Sequence, residues 1–186
     1  MHTALLIVDM QNDFVLENAP AAIAGAPASL PELVRLLTAA REQKWYVVHV
    51  VREYLADGSN IELPRREAFL RLGGYAVPGT RGARIVKELT PIEGELVLVK
   101  PRFSAFMQTP LDAMLRRQGV RRVIVCGTQY PNCIRATAFD ALALDYEVAV
   151  ALGATSAQTD AVARANIHDL CNVGIACSSL EQLLSR

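Results

Sequence analysis

Residues 122–151 read RVIVCGTQYPNCIRATAFDALALDYEVAVA. An apolar run, Arg122–Cys126, gives way to a short polar loop and then to a helical pattern over Cys133–Leu144. A second apolar run, Glu147–Ala151, follows. Continuously apolar, β-branched runs suit strands buried on both faces. Two such strands joined through a helix pair in parallel, because a parallel connection must cross over the sheet.

The same alternation extends outward along the chain. Further strands are expected at Ala4–Val8, Tyr46–Val51, Leu96–Val99 and Gly174–Ala176. Further helices are expected at Leu30–Gln43, Ala83–Glu88, Thr109–Gln118, Thr159–Leu170 and Leu180–Leu184. Leu33, Leu36, Leu37 and Ala40 fall on one helical face, and Gly119 is placed to stop the helix before it. The pattern predicts an α/β fold: a three-layer α/β/α sandwich on a mainly parallel six-stranded sheet. At 186 residues it is read as a single domain over 1–186. Asp57–Thr80 interrupts the pattern with glycines and prolines. It reads as a long loop with a helical piece at Arg65–Leu72, suited to a lid or a contact between subunits.

Composition excludes several classes. Hydrophobic residues make up 52% and charged residues 20%, as in globular rather than disordered chains. Lys+Arg 19 against Asp+Glu 19 leaves no bulk positive charge to drive nucleic-acid binding. No apolar run approaches the roughly 20 residues of a membrane span. The N-terminus runs directly into a strand, so a cytoplasmic location is expected, with Cys126, Cys133, Cys171 and Cys177 as thiols. His168, Cys171 and Cys177 are too loosely spaced to read as a metal site.

In open parallel sheets ligands bind beyond the carboxyl ends of the strands. The first strand delivers Asp9 there, and Leu96–Val99 delivers Lys100. The strand at Arg122–Cys126 leads through a loop to Cys133, at a helix start. A helix N-terminus and an ammonium both favour a thiolate, so a lowered thiol pKa is expected. A carboxylate can accept the thiol proton and return it to a leaving group. The trio suits attack on a carbonyl carbon.

Three segments, Asp9-Met10-Gln11-Asn12-Asp13-Phe14, Lys100-Pro101-Arg102-Phe103-Ser104-Ala105-Phe106 and the run from Gly127 to Thr137, resemble the isochorismatase-like cysteine hydrolases. That superfamily includes nicotinamidases, carbamoyl and ureido amidohydrolases, and isochorismatases. Val51-Arg52-Glu53, Asp57-Gly58, Glu62 and the Pro131–Arg135 version of the loop resemble its plant-type nicotinamidase branch. The resemblance implies a Rossmann-like fold, a catalytic triad of Asp9, Lys100 and Cys133, and an oxyanion hole from the Gln129 and Cys133 N–H groups. It implies a cis peptide between Thr128 and Gln129. It makes Gln11, Phe14, Phe106 and Tyr130 substrate-binding residues, with the Tyr130 ring, where the family usually has Thr, either narrowing the pocket or adding a phenol hydrogen bond. The implied reaction is hydrolysis of a small-molecule amide, nicotinamide or pyrazinamide first and ureido or carbamoyl compounds next, without a cofactor, by a homo-oligomer (dimer or tetramer). Metal-binding nicotinamidases carry paired histidines after the second strand. Here His49 lies inside the strand and reads as structural, so no metal is expected. Vinyl-ether hydrolysis of the isochorismatase type, and a non-catalytic interaction role, stand as alternatives.

Overall fold

The computed structural model describes residues 2–185. Its sheet has six strands: β1 (His2–Val8), β2 (Tyr46–Arg52), β3 (Leu96–Lys100), β4 (Val120–Thr128), β5 (Glu147–Ser156) and β6 (Ala176–Ser178). All five strand pairs are parallel, in the order β3-β2-β1-β4-β5-β6. The helices are α1 (Asn12–Val15), α2 (Ala26–Glu42), α3 (Arg66–Arg71), α4 (Leu111–Arg117), α5 (Arg135–Ala143), α6 (Asp160–Asn172) and α7 (Leu180–Leu184).

The central strands are apolar throughout because both their faces are covered. From β1, Ala4, Leu6 and Val8 join the core under α4, α5 and α6. Leu5 and Ile7 join the opposite core, under α2 and α7. The period-2 alternation of a strand divides one continuous apolar run between two hydrophobic layers. The helical stripe expected on α2 is there: Leu33, Leu36, Leu37 and Ala40 are all buried in the second layer.

This strand order reverses direction between β1 and β4, and the crevice at such a reversal is where doubly wound sheets bind ligands. Asp9 follows β1 and the Cys133 loop follows β4, so the fold brings both to that crevice.

Several boundaries differ from expectation. No helix forms at Ala83–Glu88; the segment runs alongside the loop after β1, bridging Gln11 to Ile85, with only a 3-10 turn at Lys87–Leu89. Backbone bonds Asn12 N–H to Arg84 O (2.9 Å) and Val86 N–H to Met10 O (3.0 Å) replace the helical ones. The last strand begins at Ala176, not Gly174, because Gly174 adopts φ 88° and closes α6 as a turn. Segment 57–80 is more apolar inside than its glycines and prolines suggest. Tyr54, Ile61, Phe69 and Tyr75 bury with Phe14 in a third small core, and α3 forms within the helical piece expected there. Among the described residues no helix is long and apolar enough to cross a membrane.

Candidate active site

Four strand ends build the site. Asp9, just past β1, has φ 52°, and its N–H bonds to the Val50 carbonyl of β2 at 2.8 Å. That anchored left-handed residue turns its carboxylate into the crevice; Asp tolerates the conformation better than most side chains. Lys100, the last residue of β3, has no exposed surface. Along β4, Gly127 has φ 106°, and a Cβ there would collide with the Val8 carbonyl. Only glycine lets β4 pass the end of β1 so closely. The Thr128–Gln129 peptide is cis. A π-helical turn, Tyr130–Ile134, then carries Cys133 into α5. Its first turn is folded by the Gln129 carbonyl, which accepts the N–H groups of Asn132 (3.2 Å) and Ile134 (3.3 Å).

The structure brings Asp9, Lys100 and Cys133 together. Lys100 Nζ lies 2.8 Å from Asp9 Oδ2 and donates to Cys133 Sγ at 3.4 Å. Asp9 Oδ1 is buried without a hydrogen-bond partner. A buried carboxylate oxygen with no donor is costly, so it needs a reason, and here it is an open acceptor beside a thiol. Burial pushes the Cys133 thiol above its ordinary value, and the Asp9 carboxylate pushes it further. Lys100 and Arg52 pull it back without reversing the direction. The lowered thiol expected from the sequence is therefore corrected: in the resting site Cys133 keeps its proton, because ionising it would bury a second anion beside Asp9.

Asp9, Cys133 and Arg52 share a pocket with Phe14, Ile23, Tyr54, Phe103, Gln129 and Asn132, and Lys100 lies buried behind it. Phe14 and Gln129, both expected at the site, line it. Three other expected substrate contacts do not line it. Gln11 is wholly buried, and its amide clamps β2: Oε1 accepts from Arg52 N–H (2.7 Å), and Nε2 donates to Arg52 O (2.9 Å) and Ala83 O (2.8 Å). Phe106 packs in the core against Tyr146, with ring centres 6.0 Å apart. Tyr130 is also core: its phenol turns toward Thr155 and Cys177, and burial raises its pKa. The π-helical turn leaves that ring outside the pocket lined by Cys133, so it does not narrow the pocket.

The pocket also holds charges the sequence reading passed over. Arg52, the last residue of β2, is 1% exposed and stands beside Lys100 in the strand register. Its Nη1 pairs with Glu62 Oε1 at 2.9 Å, and its Nη2 donates to Cys133 Sγ at 3.7 Å. Burial opposes the guanidinium charge, but Asp9, Cys133, Tyr54 and Glu62 more than offset it and hold the pKa above the ordinary range. Glu62 also accepts from the Tyr54 hydroxyl (2.9 Å). Arg65 comes from segment 57–80 and reaches the pocket, donating to the hydroxyls of Tyr54 (3.2 Å) and Tyr75 (3.0 Å). The rule that selected Asp9 and Lys100, a polar residue at the carboxyl end of a strand, selects Arg52 equally well.

This donor set does not suit a divalent ion. The Arg52 guanidinium occupies the end of β2 and the Lys100 ammonium lies 2.8 Å from Asp9 Oδ2, so two cations already face this carboxylate. His49 turns its Nε2 to Glu95 Oε2 (2.9 Å), outside the pocket. Among the described residues no group of three or more His, Cys, Asp or Glu side chains gathers for a metal.

Fold and site together define a class: a doubly wound parallel α/β protein whose strand ends gather a thiol, a carboxylate and two cations in one cluster beside a pocket. Comparison with known proteins is specific. A family model described as an isochorismatase domain matches residues 3–182, and the chain belongs to that family. A protein of Arabidopsis thaliana described as a probable inactive nicotinamidase is 41% identical over 184 residues, covering 97% of this chain and 94% of its own. The ureidoacrylate amidohydrolase RutB of Klebsiella pneumoniae (strain 342) is 31% identical over 162 residues, covering 77% of this chain and 69% of its own. The crystal structure of an isochorismatase family protein from Desulfovibrio vulgaris subsp. vulgaris str. Hildenborough is 53% identical. It superposes with a TM-score of 0.94 over 99% of this chain and 98% of that one.

Proposed function

We propose that this protein is a thiol amidohydrolase that cleaves the C–N bond of a small amide, with Asp9, Lys100 and Cys133 as its catalytic triad. The observation that carries the reading is the open Asp9 Oδ1 in a buried cluster where Lys100 touches both the carboxylate and the sulfur. Asp9 takes the Cys133 proton as Sγ attacks the carbonyl carbon. The N–H groups of Gln129 and Cys133 receive the oxyanion. Asp9 returns the proton to the departing nitrogen, ammonia or an amine leaves, and a thioester remains on Cys133. Water, deprotonated by Asp9, attacks the thioester; the acid departs and the thiol recovers its proton. Lys100 fixes the carboxylate and stabilises the sulfur anion.

The Arabidopsis relative's description as inactive favours weighing a non-catalytic role. The contacts of Lys100 with both Asp9 and Cys133 support the catalytic reading instead. Arg65, its side chain 35% exposed and paired with Glu62 Oε2 at 3.4 Å, puts a guanidinium at the pocket that can also take a carboxylate on the far end of the substrate. Carbamoyl and ureido acids are therefore placed ahead of nicotinamide and pyrazinamide.

The test is a release assay over these amides and isochorismate, reading ammonia and pyruvate together, with Cys133→Ala as blank. The expected result is ammonia from at least one amide, lost in the variant. Pyruvate release that survives Cys133→Ala would instead establish vinyl-ether chemistry, and silence on every compound would favour the non-catalytic role.

A further inference from the structure

We propose that Arg52 is a catalytic residue, a second cation that holds the Cys133 sulfur once Asp9 has taken its proton. The inference rests on the thiol-hydrolase reading above and adds a member to its site.

The sulfur has two charged donors: Lys100 Nζ at 3.4 Å and Arg52 Nη2 at 3.7 Å. Lys100 is divided between the sulfur and Asp9, which it meets at 2.8 Å. Until Asp9 is protonated, much of the ammonium's field is spent on the carboxylate. Arg52 supplies positive charge from the neighbouring strand end, and a guanidinium does not lose its proton in the working pH range.

A purely structural role for Arg52 would be to pin segment 57–80 to the sheet through Glu62. The geometry is wrong for that alone. Arginine held by a carboxylate for strength is commonly bidentate. Here only Nη1 of Arg52 meets Glu62, at Oε1, while Oε2 accepts from the Tyr54 hydroxyl and, at 3.4 Å, from Arg65 Nη1. Nη1 also donates to Pro101 O at 3.1 Å, and Nη2 is turned to the thiol. The rings of Tyr54 and Phe103 flank the guanidinium at 5.2 Å and 5.5 Å. Glu62 and the two rings thus fix the plane of a cation whose free edge points at the nucleophile, a preorganised arrangement that requires no reorganisation when charge develops on sulfur.

The readout is the pH dependence of Cys133 alkylation by iodoacetamide, followed by peptide mass spectrometry, which needs no substrate. The charged groups facing the sulfur are Asp9 from β1, Arg52 from β2 and Lys100 from β3, so each variant must leave Asp9 and Lys100 in place. Arg52→Met leaves Glu62 with only Arg65, at 3.4 Å, as a cationic partner, so the informative variant is the double substitution Arg52→Met/Glu62→Gln, judged against Glu62→Gln alone. The double variant should raise the apparent pKa of Cys133 by about one unit relative to Glu62→Gln, a tenfold loss of thiolate at neutral pH. Arg52→Lys should recover part of that loss. On the amide that the wild type cleaves, kcat should fall more than KM rises. Superimposable alkylation profiles, from variants that melt as folded proteins, would overturn the role of Arg52 and leave amide hydrolysis by the triad standing. A shifted profile in a protein that releases no ammonia would keep Arg52 on the sulfur and overturn the hydrolase reading.

Discussion

The two ends of β3 each hold a buried carboxylate among cations, and they are built differently. Before the strand, Glu95 is saturated. Oε1 takes Arg41 Nε at 2.8 Å, while Oε2 takes Arg41 Nη2 (3.0 Å), His49 Nε2 (2.9 Å) and the Ile92 N–H (3.0 Å). Burial alone would raise its pKa, but these donors hold it down at about 2. After the strand, Asp9 gives one oxygen to Lys100 and keeps the other unpartnered. A saturated carboxylate has nothing left to do and serves the fold. A half-satisfied one beside a thiol is an acceptor in waiting, and it carries a cost in stability that the rest of the fold must cover.

The largest effect expected from this contrast is at the open end. Cys133→Ala should lower turnover by at least about 10⁴-fold, as removal of a nucleophile does elsewhere, while its thermal unfolding stays close to wild type. A variant with appreciable residual ammonia release would break the comparison, since the open cluster would then have no task.

At the closed end the effect should be on stability. Glu95→Gln removes charge-assisted bonds to Arg41 and His49 and should cost about 1–3 kcal/mol in denaturant unfolding. The folded protein should keep its kcat. Because the Glu95 pKa is depressed on folding, its contribution is complete above the ordinary carboxylate range and disappears as pH falls toward about 2. His49 adds to the same slope. Burial lowers its pKa, so below the ordinary histidine value the unfolded chain takes up a proton that the folded chain refuses. The melting temperature should therefore fall with acidification from about pH 6.5 downward, and Glu95→Gln should flatten the lower part of that fall. An equal acid slope in both proteins would mean that this cluster does not govern acid stability.

The smallest effect belongs to Tyr130→Phe. Its phenol faces Thr155 rather than the pocket, so KM should change by less than about twofold, with any loss confined to the ~1 kcal/mol of one hydrogen bond. A large change in KM would return the ring to the substrate.

Asp9 and Lys100 were legible from the sequence because a strand end fixes both position and direction, and strands are read from continuous apolar runs. Arg52 obeyed the same rule. The expected strand Tyr46–Val51 ends immediately before it, but Val51-Arg52-Glu53 is read only as a family signature, so the rule is not applied there. The residues that went astray lie in irregular backbone. Gln11 follows a left-handed Asp9, and Tyr130 opens a π-helical turn after a cis peptide, so neither strand nor helix periodicity tells which way the side chain points. Phe106 lies in the bends between β3 and α4, where aromatic residues serve core and pocket alike. The direction of the Cys133 pKa was hidden for another reason: the helix start and Lys100 are visible in sequence, but complete burial beside Asp9 is not.

The central claim is that Asp9 holds the thiol proton in place and is the group that receives it. The direct measurement is the pH profile of Cys133 alkylation in the wild type and in Asp9→Asn. The wild-type profile should titrate above a free thiol. Asp9→Asn should titrate lower and react faster at neutral pH, because Lys100 and Arg52 then face the sulfur unopposed, even as turnover is lost. An Asp9→Asn profile that is unchanged, or shifted upward, would contradict the account.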